Sequence, residues 1–265
     1  MSTLRLIITN IVMYAGTISL TLCCVLISVP FYCCLRLTGK YTRTTAVRRM
    51  IWLYGRAWVS IANLLMEVDK PKTGSVDAPC VMVLNHASFF DSYCIGFQPQ
   101  WNFSFAVRNW PFKIPLYGPF MRTAQYVATE DADMETVLEQ STRVIREGGI
   151  MVFYPEGTRS KNGELGRFYS GAFLTAIKAN VPVVPVCLSG TGKMLKRGGW
   201  LVRPHPLRMR ILPPVHPDAY RNRPDGHMAM RKDVKKQMAE ALKHMETTSD
   251  IRVDETKELQ CDATH

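Results

Sequence analysis

Acidic side chains are missing where basic ones gather. Between residues 165 and 217 there is no Asp or Glu, while Arg167, Lys178, Lys193, Lys196, Arg197, Arg203, Arg208 and Arg210 fall in that stretch. A segment of one sign suits an anionic partner: a charged bilayer, the phosphates of a pantetheine donor or an acidic carrier protein. Formal charge is missing altogether from residues 6–35. As a helix, residues 6–29 alone would rise about 36 Å, enough for a ~30 Å hydrocarbon core, so the run reads as a membrane segment. A secretory signal peptide fits less well, because no small-x-small cleavage site precedes a disulfide-type ectodomain. The cysteines lack ligand-like spacing: Cys23, Cys24, Cys33 and Cys34 lie in the apolar run, and Cys80, Cys94, Cys187 and Cys261 are scattered. That pattern argues against structural zinc and for reduced thiols, with no metal expected. Internal repeats and low-complexity tracts are absent as well.

What is present is enough for one αβ domain with a short appendage, since 47% of 265 residues are apolar and can fill a core. The formal charge of +11 and pI near 9.4 leave nucleic acid and an acidic membrane in competition. No nucleic acid is expected, because the basic residues adjoin the membrane segment and no recognition module is present. Pro30 should break or kink the apolar helix, leaving a single span or a helical hairpin in one leaflet. Arg36, Lys40, Arg43, Arg48, Arg49 and Arg56 follow it with no acid before Glu67, whereas only Arg5 precedes it. By the positive-inside bias the catalytic body is cytoplasmic.

Four regions follow: a membrane segment over 1–37, an interfacial amphipathic helix and connection over 38–70, a catalytic domain over 71–246, and a tail over 247–265 expected to be disordered. In the second region Trp52, Tyr54 and Trp58 are expected at the membrane interface, against the alternative of an ordinary core helix. Residues 70–79, with Pro71, Gly74 and Pro79, read as the loop entering the catalytic domain. Strands are expected near 80–84, 102–107, 150–154, 181–188 and 207–211, and helices near 91–97, 134–147, 171–179 and 227–244. This alternation makes the fold class α/β, a mostly parallel sheet flanked by helices, with the N-terminal membrane helix or hairpin added.

Two stretches carry chemistry. Asn85-His86-Ala87-Ser88-Phe89-Phe90-Asp91 follows the apolar run 80–84 and sets an imidazole and a carboxylate five residues apart across a strand-to-helix turn. Asp91 on one ring nitrogen would fix the tautomer of His86 and leave the other nitrogen to take a proton from a hydroxyl. Phe153-Tyr154-Pro155-Glu156-Gly157-Thr158-Arg159-Ser160 is a second strand-to-turn transition, after the run 150–154. Gly157 permits close backbone approach, Thr158 offers a hydroxyl, and Arg159 a guanidinium able to grip phosphate in a fork. Two such turns could meet at one end of a sheet. Ser88 and Cys94 stand in no Gly-x-Ser-x-Gly elbow, so direct attack by the acceptor is the simpler mechanism.

Together with Phe168-Tyr169-Ser170-Gly171-Ala172-Phe173 and Val181-Pro182-Val183-Val184-Pro185-Val186, these motifs resemble the glycerolipid acyltransferase family, whose best-known members are 1-acylglycerol-3-phosphate acyltransferases. The resemblance covers about residues 80–190. It implies that an acyl chain moves from a thioester, either acyl-CoA or acyl-carrier protein, to the hydroxyl of a lysophospholipid, giving phosphatidate when that acceptor is 1-acylglycerol-3-phosphate. No cofactor is implied beyond the thioester co-substrate, and membrane lipids are the expected surroundings. It also places Glu156 and Gly157 in the acceptor site, with an ion pair of Glu156 to Arg159 as the alternative, and puts Arg108 where relatives carry a basic residue near the acceptor phosphate. The chain departs from the family at 124–131, where Glu130-Asp131 stands in place of an expected arginine, with Arg122 or Lys113 as substitutes. That departure leaves a different lysolipid headgroup open. A lipid or thioester hydrolase and a non-catalytic membrane-binding protein are the rival readings.

Overall fold

The computed structural model describes residues 3–69, 76–160 and 163–262. Two long helices come first, α1 (Thr3–Leu37) and α2 (Arg43–Leu65). The connection between them ends in a capping box, in which Thr42 and Thr45 exchange side-chain and backbone hydrogen bonds. Because Gly16 meets Ile61 and the Thr21 hydroxyl meets that of Tyr54 at 2.8 Å, the two helices run antiparallel, one against the other.

A seven-stranded sheet follows: β1 (Val68–Asp69), β2 (Cys80–Leu84), β3 (Phe103–Val107), β4 (Val127–Ala128), β5 (Ile150–Phe153), β6 (Val183–Ser189) and β7 (Leu207–Ile211), in the order β1-β7-β6-β2-β5-β3-β4. Every neighbouring pair is parallel except β6 with β7. The expected α/β class therefore holds, and the sheet is mixed at one pairing. Central strands buried on both faces explain why β2 and β5 read as unbroken apolar runs.

Strand alternation divides the core in two. Cys80, Met82 and Leu84 point with Ile150, Val152 and Val184 toward Trp52, Trp58 and Ala62 of α2. Val81, Val83, Met151 and Phe153 point the other way, toward α4 (Met134–Arg146), α5 (Gly171–Ala179) and α7 (Gly226–Asp262). The short helices α3 (Tyr117–Thr123) and α6 (Thr191–Met194) lie in the connections after β3 and β6.

Two expectations need correction. Trp58 is fully buried and Trp52 nearly so, so these two rings pack on the sheet and do not stand at a membrane interface. The reason is that α2 and the 3-10 turns at Phe89–Phe97 are the cover for that face of the sheet, and Trp58 stacks on Phe90 and Tyr93 there. Second, α1 passes through Pro30 unbroken; the missing N–H leaves one carbonyl, that of Leu26, without its helical donor. Helix α7 runs on to Asp262, into the stretch read from the sequence as a tail. Among described side chains the last buried one is Met245. Of the expected entry loop, residues 70–75 lie outside the described residues.

Candidate active site

The site is built where β2 and β5 end side by side, with Val83 in register with Phe153. Asn85 continues the β2 line by pairing reciprocally with Leu188 on β6, its amide donating to the Leu188 carbonyl at 2.9 Å and its oxygen accepting the Leu188 N–H at 2.7 Å. The chain then turns. The His86 N–H donates to Glu156 Oε1 at 3.0 Å, and the His86 carbonyl accepts the Ser160 N–H at 2.7 Å. Both motifs are thus fastened to each other through the backbone of one residue.

The His86 ring lies 2.8 Å, Nδ1 to Oδ2, from Asp91. That same oxygen accepts the N–H groups of Ala87 at 2.7 Å and Ser88 at 2.8 Å, and Asp91 is fully buried. With the carboxylate accepting, Nδ1 carries the proton and Nε2 presents its lone pair. Nε2 has no partner among the described residues, and the His86 side chain keeps 20% of its surface exposed. Asp91 does two jobs, since its bond to the Ser88 N–H also completes the capping box of the 3-10 turns at Phe89–Phe97. The other face of the imidazole is stacked on Tyr154, ring centres 4.3 Å apart and planes at 26°. The Tyr154 hydroxyl donates to Ser92 Oγ at 3.3 Å, and burial holds this phenol well above its ordinary range.

Glu156 is spent on the main chain. Its Oε1 holds the His86 N–H and its Oε2 holds the Gly166 N–H at 2.8 Å, while burial pushes its carboxyl upward against those two bonds. The alternative of an ion pair to Arg159 is not what forms. Gly157 has φ +66°, and a Cβ there would press on the Tyr169 ring at 3.1 Å; both features require glycine. Thr158 is exposed and Arg159 half-buried, and the Arg159 guanidinium forms no ion pair among the described residues.

Arg108 is not brought to this cluster by any contact. It pairs with Glu130 at the end of β3, whose other oxygen accepts the Asn109 N–H at 2.9 Å. Those donors hold the Glu130 carboxyl below its usual range. Glu130, in the stretch where the resemblance led to an arginine being expected, therefore pairs with the basic residue beside it. Arg122 donates to the Phe112 carbonyl at 2.9 Å and stays on its own turn. Among the described residues no three His, Cys, Asp or Glu side chains converge as metal ligands.

Neither rival nucleophile is free. Ser88 is buried, with its hydroxyl donating to the Leu195 carbonyl at 3.3 Å, and complete burial pushes the Cys94 thiol well above its ordinary value. The segment supplying Leu195 escaped the sequence reading as part of the site. It packs on the turn at residues 86–88, where Gly192 leaves 3.0 Å for a Cβ against Ala87, and Arg197 Nη1 donates to the Arg159 carbonyl at 3.0 Å. Tyr154 was visible only as a motif letter, because stacking across two strands leaves no mark in linear spacing.

Residues 66–189 match the family model described as Acyltransferase. Over 146 residues the chain is 38% identical to a chloroplastic 1-acyl-sn-glycerol-3-phosphate acyltransferase of Brassica napus, covering 54% of this chain and 42% of that protein. It is 37% identical to one from Arabidopsis thaliana, over 54% and 41% of the two chains. The human 1-acyl-sn-glycerol-3-phosphate acyltransferase beta is 34% identical over 59% of this chain and 57% of its own length. The alignments thus span about half of these relatives or less. In fold, the crystal structure of the 1-acyl-sn-glycerophosphate acyltransferase PlsC from Thermotoga maritima superposes with a TM-score of 0.63 at 22% identity, over 88% of this chain and 98% of that one. Over residues 66–189 the chain is thus similar to acyltransferases in sequence, and the PlsC likeness shows the same fold.

Proposed function

We propose that this chain is a membrane-bound O-acyltransferase that moves a fatty acyl group from a thioester, carried by coenzyme A or by acyl-carrier protein, to the free hydroxyl of 1-acylglycerol-3-phosphate, giving phosphatidate. The observation that carries the reading is the aligned pair of His86 and Asp91, with Nε2 open at the end of the parallel strands. His86 takes the proton from the acceptor hydroxyl as its oxygen bonds to the thioester carbonyl carbon. The C–S bond then breaks, and the departing thiolate recovers the proton from the imidazolium. Asp91 steadies the positive ring throughout. Arg159, half-buried and without a carboxylate partner, takes the acceptor phosphate, with Gly157 and Thr158 shaping the approach.

Membrane association rests on α1, which is long and apolar enough to cross a bilayer, with mean hydropathy 2.2 over its best window. The basic residues after it favour a catalytic body on the cytoplasmic side. Acyl transfer from labelled acyl-CoA to 1-acylglycerol-3-phosphate is the decisive assay. His86→Ala should lower turnover by at least about a hundred-fold; a variant with ordinary activity would refute the mechanism. Fatty acid release indifferent to added acceptor would instead make the chain a hydrolase.

A second acceptor has one observation in its favour. The Arg108–Glu130 pair removes a cation from the expected phosphate site, which suits a lysolipid whose headgroup is not a phosphomonoester. An acceptor panel with one labelled donor separates the two: preference for neutral or zwitterionic lysolipids would exclude phosphatidate as the main product.

A further inference from the structure

The segment between α6 and β7 ends in an apolar tip with a basic collar. Trp200 is 83% exposed and Leu201 42%, while the next residue, Val202, is fully buried. Lys196, Arg197 and Arg203 flank the tip and are exposed, and the nearest acids in sequence lie beyond residues 165 and 217. An exposed indole costs solubility, and this one is held outward by design of its backbone. Asn10 of α1 pairs reciprocally with Val202, donating to its carbonyl and accepting its N–H, each at 2.9 Å, and the Tyr14 hydroxyl donates to the Trp200 carbonyl. The backbone is therefore tied to α1 while the Trp200 side chain is left free. The first turns of α1 present Leu4, Ile7, Ile8 and Ile11 to the outside, so the tip extends the apolar surface of that helix sideways.

We propose that the Trp200–Leu201 tip is a bilayer contact in its own right, seating the indole in the interface of an anionic membrane while Lys196, Arg197 and Arg203 meet lipid phosphates. This rests on the reading of the chain as membrane-bound. The far side of the same segment touches the reaction turn through Leu195 and Arg197, so the contact holds the site at the depth where a lysolipid headgroup lies. Anionic lipid is favoured over a protein partner by the joint presence of a tryptophan tip, a basic collar and continuity with a helix of span length.

The test uses the full chain reconstituted in vesicles of equal parts phosphatidylcholine and phosphatidylglycerol, some carrying brominated acyl chains. The chain holds five tryptophans, so Trp200 emission is the difference between wild type and Trp200→Phe. Bromolipid should quench that difference emission, and Trp200→Ser should lower the ratio of vesicle turnover to detergent turnover by roughly three- to ten-fold, the scale of one lost interfacial aromatic. Because the side chain is exposed, the variant keeps its fold. Flotation of wild type with unquenched Trp200 and an unchanged turnover ratio overturns this inference alone. Wild-type protein that fails to float overturns the membrane reading and the inference with it, and a dimer dissociated by Trp200→Ser in detergent assigns the tip to a second copy and overturns it.

Discussion

Asp91 carries three donors on one oxygen, and its second oxygen is buried with no partner among the described residues. Asp91→Asn would turn an acceptor-only group into one that is half donor, facing the His86 ring and two main-chain N–H groups. Turnover should fall by roughly 10²–10⁴-fold, with the loss in kcat and little change in KM, because the ionised ring is stabilised only as the proton moves. Ser88→Ala and Cys94→Ala should retain substantial activity in the same assay, since the hydroxyl caps a turn and the thiol is buried; an acyl-enzyme lost in either variant together with activity would overturn direct attack. Glu156 has a different signature. Burial raises its carboxyl in the folded chain, so the native state takes up this proton at higher pH than the unfolded state does. Its contribution to stability is accordingly greatest below the unfolded value of 4.5 and is lost as pH rises through the folded value. Thermal unfolding of Glu156→Gln against pH should show a flatter slope in that window than wild type, and lower activity at every pH because one N–H loses its acceptor.

At the scale of elements, α2 packs closely where it crosses the 3-10 turns after His86. A Cβ added at Gly96 would sit 2.4 Å from the Gly55 carbonyl carbon and 2.5 Å from the Arg56 nitrogen, both backbone atoms. Gly96→Ala must push α2 off the turns, and a loss of stability of about 1–3 kcal/mol is expected, read as a lowered Tm together with lowered kcat. The elements themselves were legible to differing degrees. Residues 80–84 and 171–179 stood out because long apolar runs between turn residues mark buried strands, and small residues with helical spacing mark a packed helix. The pairs Val68–Asp69 and Val127–Ala128 did not, since two residues have no period. The sequence of α2 leaves its tryptophans open, because an amphipathic helix bearing Trp and Arg has the same pattern on a bilayer and on a sheet. Its tryptophans choose the sheet, and Arg49 and Arg56 stack over the Trp52 ring at 4.3 and 4.8 Å. Within the site, His86, Asp91 and the Glu156 turn were readable from order and spacing. The stack of Tyr154 and the bond from Ser88 to Leu195 depend on residues far apart in sequence, and only the fold brings them together.

For the whole molecule, the layers run from α1 through α2 and the sheet to α4, α5 and α7, and the His86–Asp91 pair lies at the strand ends between them. Helix α1 packs along α2 and is tied by Asn10 to the segment holding Val202. Asn10→Ala breaks the second, leaving the Val202 N–H and carbonyl unpaired in a buried position, and should cost about 1–3 kcal/mol. Its Tm should drop while His86 chemistry on an unhindered thioester continues; an unchanged Tm would show that this joint carries no weight. The Glu156 carboxylate has one more consequence. By gripping the amides of residues 86 and 166 it closes the neck of the loop that holds Gly157, Thr158 and Arg159, which the Ser160 N–H on the His86 carbonyl and Arg197 on the Arg159 carbonyl fasten further. If the proposed roles hold, grafting 157–165 between relatives should exchange headgroup preference, provided residue 160 is not proline and can still offer its amide hydrogen, while His86 and Asp91 outside the neck stay as they were.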